Sequence, residues 1–163
     1  MLAIISAMQD EITAIVESLG EVTVRTLGHR QYHAGNFEDT PVVVVFSGWG
    51  KVAAAATATQ LIASYDVTDI VFTGVAGAVR HGLSIGDVVV GSELIQHDLD
   101  ASPIFPRYEV PLLGKAMLPT EPELRAQLHT AALEFLRQDL AERCRRAHGT
   151  GFGSLHHRSS KDS

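Results

Sequence analysis

Cysteine occurs once in 163 residues, as Cys144, so the chain has no internal disulfide framework and fits a reducing compartment. No apolar run approaches the roughly 20 residues needed to span a bilayer. The opening Met-Leu-Ala-Ile-Ile-Ser is short, lacks a basic flank and reads as a first β-strand rather than a signal peptide. Basic residues are also scarce: 13 Lys and Arg stand against 19 Asp and Glu, a formal net charge of −6. That balance argues against binding along a nucleic-acid backbone, which needs a basic patch. A soluble cytoplasmic protein, with no membrane and no nucleic-acid partner, is expected.

What is present suits one globular domain. Apolar residues make up 45% and glycine occurs 14 times, enough for a buried core with many tight turns. Charge is unevenly spread. Residues 1–142 hold 18 acidic and 8 basic side chains, whereas residues 143–163 hold five basic and one acidic. The latter stretch, with His156 and His157, has neither helical nor strand periodicity. It reads as a basic, low-complexity tail, disordered or non-native, after a domain of residues 1–142.

Leu2–Ser6 is a continuous apolar run of the kind buried on both sheet faces. Ile12, Ile15, Val16 and Leu19 give helical spacing over Glu11–Leu19, closed by Gly20. Val22–Leu27 and Gln31–Gly35 read as strands joined at Gly28-His29. Val42–Ser47 is the most β-branched strand, and Lys51–Ser64 is an Ala-rich helix. Strands are expected at Asp69–Thr73 and Val88–Leu94, then an amphipathic helix over Glu121–Leu140. Residues 97–119 are long for a loop, hence functional or mobile. Strands alternating with helices predict a three-layer α/β/α fold on a mixed, mostly parallel central sheet.

Two strands run into Gly-rich turns, Ser47-Gly48-Trp49-Gly50-Lys51 and Thr73-Gly74-Val75-Ala76-Gly77. In open α/β sheets ligands sit beyond the carboxyl ends of the strands, where glycine lets backbone approach closely, so both turns are expected to line one crevice. Gly48 to Ala53 also fits the dinucleotide pattern G-x-G-x-x-G/A. The following strand, however, ends in Thr73-Gly74 without the acidic residue that holds a ribose 2′-hydroxyl, and Lys51 is misplaced for a P-loop. No nicotinamide or NTP cofactor is implied. Trp49, between two glycines, caps a pocket or fills the core. Asp10 and Glu11 at a helix start either stabilise the dipole, worth about 0.3–1 kcal/mol, or place Glu11 in the crevice as a general base. His97-Asp98-Leu99-Asp100 has one histidine and no second cluster, so a hydrogen-bonded turn is favoured and no metal is expected. The apolar stretch Ala101–Pro106 is a candidate interface or pocket edge, or packs on its own domain.

Ala7-Met8-x-x-Glu11, Ser47-Gly48-x-Gly50-Lys51-Val52-Ala53-Ala54-Ala55, Thr73-Gly74-x-Ala76-Gly77, Ile85-Gly86-Asp87-Val88-Val89-Val90 and His97-Asp98-x-Asp100 occur in this order. Together they resemble the 5′-methylthioadenosine/S-adenosylhomocysteine nucleosidases of the purine nucleoside phosphorylase and uridine phosphorylase superfamily. The resemblance covers about residues 1–140. It implies a nucleoside phosphorylase-like fold, hydrolysis of the N-glycosidic bond with release of adenine, no cofactor and a homodimer. It assigns water activation to Glu11, and substrate contacts to Met8, Trp49, Ala76 and Gly77. A carboxylate pair at Asp10-Glu11 would repel phosphate, which favours hydrolysis over a phosphate-dependent phosphorylase. A nucleoside-binding or dimerisation module without catalysis is the remaining alternative.

The last third of a typical family member, with its purine-stacking aromatic, ribose-binding Met-Glu and purine-protonating Ser-Asp segments, has no counterpart here; Gly151-Phe152-Gly153 lacks the right neighbours. The fold is therefore expected to be incomplete at the C-terminus. Leaving-group protonation supplies about 10²- to 10⁴-fold in rate, so the isolated chain is expected to be weak or inactive and prone to associate.

Overall fold

The computed structural model describes residues 1–149. The side chain of Cys144, and residues 150–163 with Gly151–Gly153, His156 and His157, lie outside the described residues. Two compact units are present, Met1–His81 and a second from Gly82 onward.

The first unit contains β1 (Leu2–Ser6), α1 (Gln9–Glu17), β2 (Gly20–Leu27), β3 (Arg30–Phe37), β4 (Thr40–Phe46), α2 (Lys51–Tyr65) and β5 (Asp69–Thr73). Its five strands are ordered β2-β3-β4-β1-β5. β1 runs parallel to both β4 and β5, with Ser6 opposite Phe46 on one side and Thr73 on the other. β2 with β3, and β3 with β4, are antiparallel. The sheet is thus mixed as expected, but the parallel pairs do not outnumber the antiparallel ones. The early hairpin contributes both antiparallel pairings.

Burial follows the sequence pattern. Val42, Val43, Val44 and Val45 are all buried, as a β-branched strand covered on both faces requires. Ala3, Ile5, Tyr32, Val43, Val45 and Leu61 form one cluster. Burial of Ile5, Val43, Val45 and Leu61 contributes about 1.5–3 kcal/mol each relative to exposure. The connection from β1 steps toward β4, and that from β4 steps back across β1 to β5. Right-handed crossovers in opposite directions put α1 and α2 on opposite faces, which makes the three layers. Leu61 anchors α2, and the buried Ile12 anchors α1, which packs on β1 and β4.

Several boundaries move. α1 starts two residues early and ends at Glu17, because Gly20 opens β2 instead of capping a helix. The second unit holds β6 (Glu93–Ile95), β7 (Met117–Pro119), antiparallel to each other, and α3 (Pro122–Gly149). The expected strand Val88–Leu94 is a correction: only Glu93 and Leu94 of that run are in a strand, and Val88 and Val89 are exposed. An apolar β-branched run becomes a strand only when a partner strand takes up its backbone groups. α3 continues past Arg143, so the shift in charge there is not a helix end.

Candidate functional site

The carboxyl ends of β1, β4 and β5 lie side by side, and β1 is the strand from which the chain departs in both directions. This is the switch point at which open α/β sheets hold ligands. Ser6 ends β1 and is fully buried. Ser47, just past β4, donates its N–H (2.9 Å) and its hydroxyl (3.2 Å) to the Ser6 carbonyl. The Arg30 Nε–H donates to the Ser47 carbonyl at 2.8 Å, tying the hairpin to the same turn. Gly48 and Gly50 follow at φ 79° and 89°, left-handed values open to glycine at little cost. The Gly50 carbonyl then accepts from Ala54 N–H at 3.0 Å to start α2.

Glu11 lies at the third position of α1 and closes this arrangement from the other side. Its Oε2 accepts from the Met8 N–H at 3.1 Å and from the Ser6 hydroxyl. Its Oε1 accepts from the Val75 N–H at 2.9 Å, in the turn after β5. Capping its own helix and bridging two strand ends are therefore one and the same placement. The Ser6 hydroxyl first, then the Val75 N–H, hold the Glu11 carboxyl below the usual glutamate range; the Met8 and Ala7 N–H groups add to this and partial desolvation opposes it. Gly74 makes room: a Cβ there would sit 3.1 Å from both Glu11 oxygens.

Of the residues singled out in the sequence, Glu11, the Met8 backbone and the turn at Gly74-Val75 come together. The Met8 side chain is exposed, as are Ala76 and Gly77 farther along that turn. Trp49 is 80% exposed, which excludes the core-filling alternative. The Asp100 carboxylate accepts from the Ser102 N–H (3.1 Å) and hydroxyl, and Arg107 lies 3.9 Å away, a hydrogen-bonded turn as expected. Asp87 likewise closes the turn at Gly86 by accepting from the Ser84 N–H at 2.8 Å. Sequence reading missed Ser6 and Arg30. Ser6 had a signal, a hydroxyl at the last position of a buried strand; Arg30, seventeen residues from its partner, had none.

A sequence profile of the phosphorylase superfamily matches residues 1–148. The chain belongs to that superfamily. It is 37% identical over 101 residues to the 5′-methylthioadenosine/S-adenosylhomocysteine nucleosidase of Bacillus subtilis, covering 62% of this chain and 44% of that one. The nucleosidase of Neisseria meningitidis, solved in complex with methylthio-immucillin-A, superposes with a TM-score of 0.78 at 30% identity, covering 82% of this chain and 58% of that one. The futalosine hydrolase of Helicobacter pylori superposes with a TM-score of 0.75 at 32% identity, over 82% and 57%. The chain spans about half the length of the curated relatives it matches. Among the described residues no helix is long and apolar enough to cross a membrane.

Proposed function

We propose that this chain carries the water-orienting part of a nucleoside hydrolase that cleaves 5′-methylthioadenosine and S-adenosylhomocysteine and releases adenine. The observation that supports this best is Glu11, an ionised carboxylate held by uncharged donors at the carboxyl ends of β1 and β5. Cleavage of an N-glycosidic bond passes through an oxocarbenium-like state. Water adds to the ribose carbon as the carbon–nitrogen bond breaks, and its electron pair leaves with the purine, which takes up a proton. A fixed carboxylate orients the water and offsets the developing positive charge. Asp10 and Glu11 at one helix start disfavour a phosphate nucleophile, so hydrolysis is preferred to phosphorolysis. In this reading Met8, Trp49, Ala76 and Gly77 line the nucleoside.

The proposal extends to a cytoplasmic homodimer. α2 supports the dimer: it buries Thr57 and Leu61, yet Val52, Ala55, Ala56, Thr59, Ile62 and Ala63 form a second, exposed side. A helix apolar on both sides is suited to being covered twice.

Calorimetric titration with methylthioadenosine, paired with adenine release measured with and without phosphate, tests the function. Binding, with slow phosphate-independent release abolished by Glu11→Gln, is expected. An absolute phosphate requirement makes the protein a phosphorylase, binding without any Glu11-dependent release makes it a non-catalytic module, and absence of binding overturns the proposal.

A further inference from the structure

Three hydrogen bonds within normal reach meet the Glu11 carboxylate, and they divide unequally. Oε2 accepts from both the Ser6 hydroxyl and the Met8 N–H, whereas Oε1 accepts from the Val75 N–H, and the Ala7 N–H adds a weaker attraction to the carboxylate as a whole. A carboxylate oxygen has two lone pairs. Ser6 is itself fixed twice over. It is fully buried at the end of β1, and its hydroxyl lies 3.2 Å from both the N–H and the carbonyl oxygen of Met8. Its backbone carbonyl is held by Ser47 across the sheet. The single hydroxyl proton has two acceptors in reach, the Met8 carbonyl and the Glu11 carboxylate, and the charged carboxylate is the stronger of the two.

We propose that Ser6 is a positioning residue: its hydroxyl, together with the Met8 N–H, fills Oε2 and so presents Oε1, on the side of the turn after β5, as the anchor for the attacking water. This rests on the reading of Glu11 as the water-orienting carboxylate and names the oxygen that does the work. A carboxylate so saturated is a poor proton acceptor and a good fixed negative charge. Its contribution is orientation and charge stabilisation, with the proton of the water passing on to solvent. Among the described residues no cation contributes to holding it. The donors from β1, from the start of α1 and from the β5 turn are hydroxyl and amide groups, and the nearest charge along α1 is the like-charged Asp10.

The test is a carboxyl-carbon NMR titration of the 163-residue chain, with Glu11→Gln identifying the resonance. In the unaltered protein Glu11 is expected to titrate below a glutamate in a short unstructured peptide. Its midpoint is expected to be insensitive to salt, because hydrogen bonds rather than a screened ion pair set it. Ser6→Ala should move that midpoint upward, and Ser6→Thr, which keeps the hydroxyl, should restore it. A Glu11 midpoint at or above the peptide value in the unaltered chain overturns the proposal even if Ser6→Ala does not fold. So does a folded Ser6→Ala protein whose Glu11 curve superimposes on the original. Adenine release is a separate readout. If Glu11→Gln leaves release unchanged while Ser6→Ala still shifts the titration, the hydrolase reading fails and the Ser6–Glu11 coupling stands.

Discussion

Glu11 links β1, α1 and the turn after β5 through one carboxylate, and its ionisation makes a stability prediction. Its carboxyl is held below the ordinary glutamate value in the folded state. The stabilisation is therefore fully present above the unfolded value, about 4.3, and disappears as pH falls through the lower folded value. Denaturant unfolding across this acid range should show Glu11→Gln to be less stable than the unaltered chain near neutrality, with the difference shrinking as pH falls. Gly74→Ala should act on the same carboxylate from the β5 side. Its added Cβ would crowd both oxygens at 3.1 Å, so Glu11-dependent release of adenine should drop while calorimetric binding of methylthioadenosine changes less. Glu11 was legible because a carboxylate three residues into a helix is a local signal. Ser6 and Val75 were not legible as its partners, since one donor waits on burial of β1 and the other lies 64 residues along the chain.

Among the elements, β1 and β5, the two strands that carry Ser6 and lead into Val75, were the most legible. Leu2–Ser6 and Asp69–Thr73 match their expected bounds residue for residue, because an apolar run flanked by turn residues is readable without knowledge of its neighbours. Val88–Leu94 carried a similar signal and yielded only the start of β6, because strand formation needs a partner that composition does not supply. Packing energies belong at this scale. Leu61 is fully buried between α2 and the strands, so Leu61→Ala should cost about 2–5 kcal/mol, measured by urea unfolding of Met1–Ser163. Tyr65, at the end of α2, stacks on Tyr32 at 5.6 Å and keeps a buried hydroxyl without a hydrogen-bond partner among the described residues. Tyr65→Phe retains the ring and removes that unpaired oxygen, so it should raise stability by roughly 1 kcal/mol.

At the scale of the molecule, sequence pattern identified the superfamily fold correctly and gave no hint that contacts divide at His81. Domain division depends on which distant residues meet, and no local periodicity records that. The proposed dimer makes a prediction here. Ile62 is 60% exposed on the outer side of α2, so Ile62→Glu should convert a dimer to a monomer in sedimentation velocity without loss of helical circular dichroism. A monomeric unaltered chain at the same concentration would remove α2 as the interface. β5 is an edge of its sheet, and Phe72 on it is 63% exposed. Unpaired strand edges template association, which gives a second route to higher-order species at high concentration.

The turn at Gly48–Lys51 also makes the protein its own optical probe. Trp49 is the chain's lone tryptophan, and its ring stands in solvent at the rim of the strand ends that hold Glu11. All indole emission therefore comes from one known place. The free protein should emit at long wavelength and be quenched readily by acrylamide. A nucleoside seated against that turn should shift the emission to the blue and slow the quenching, so occupancy can be followed in real time without a label and without turnover.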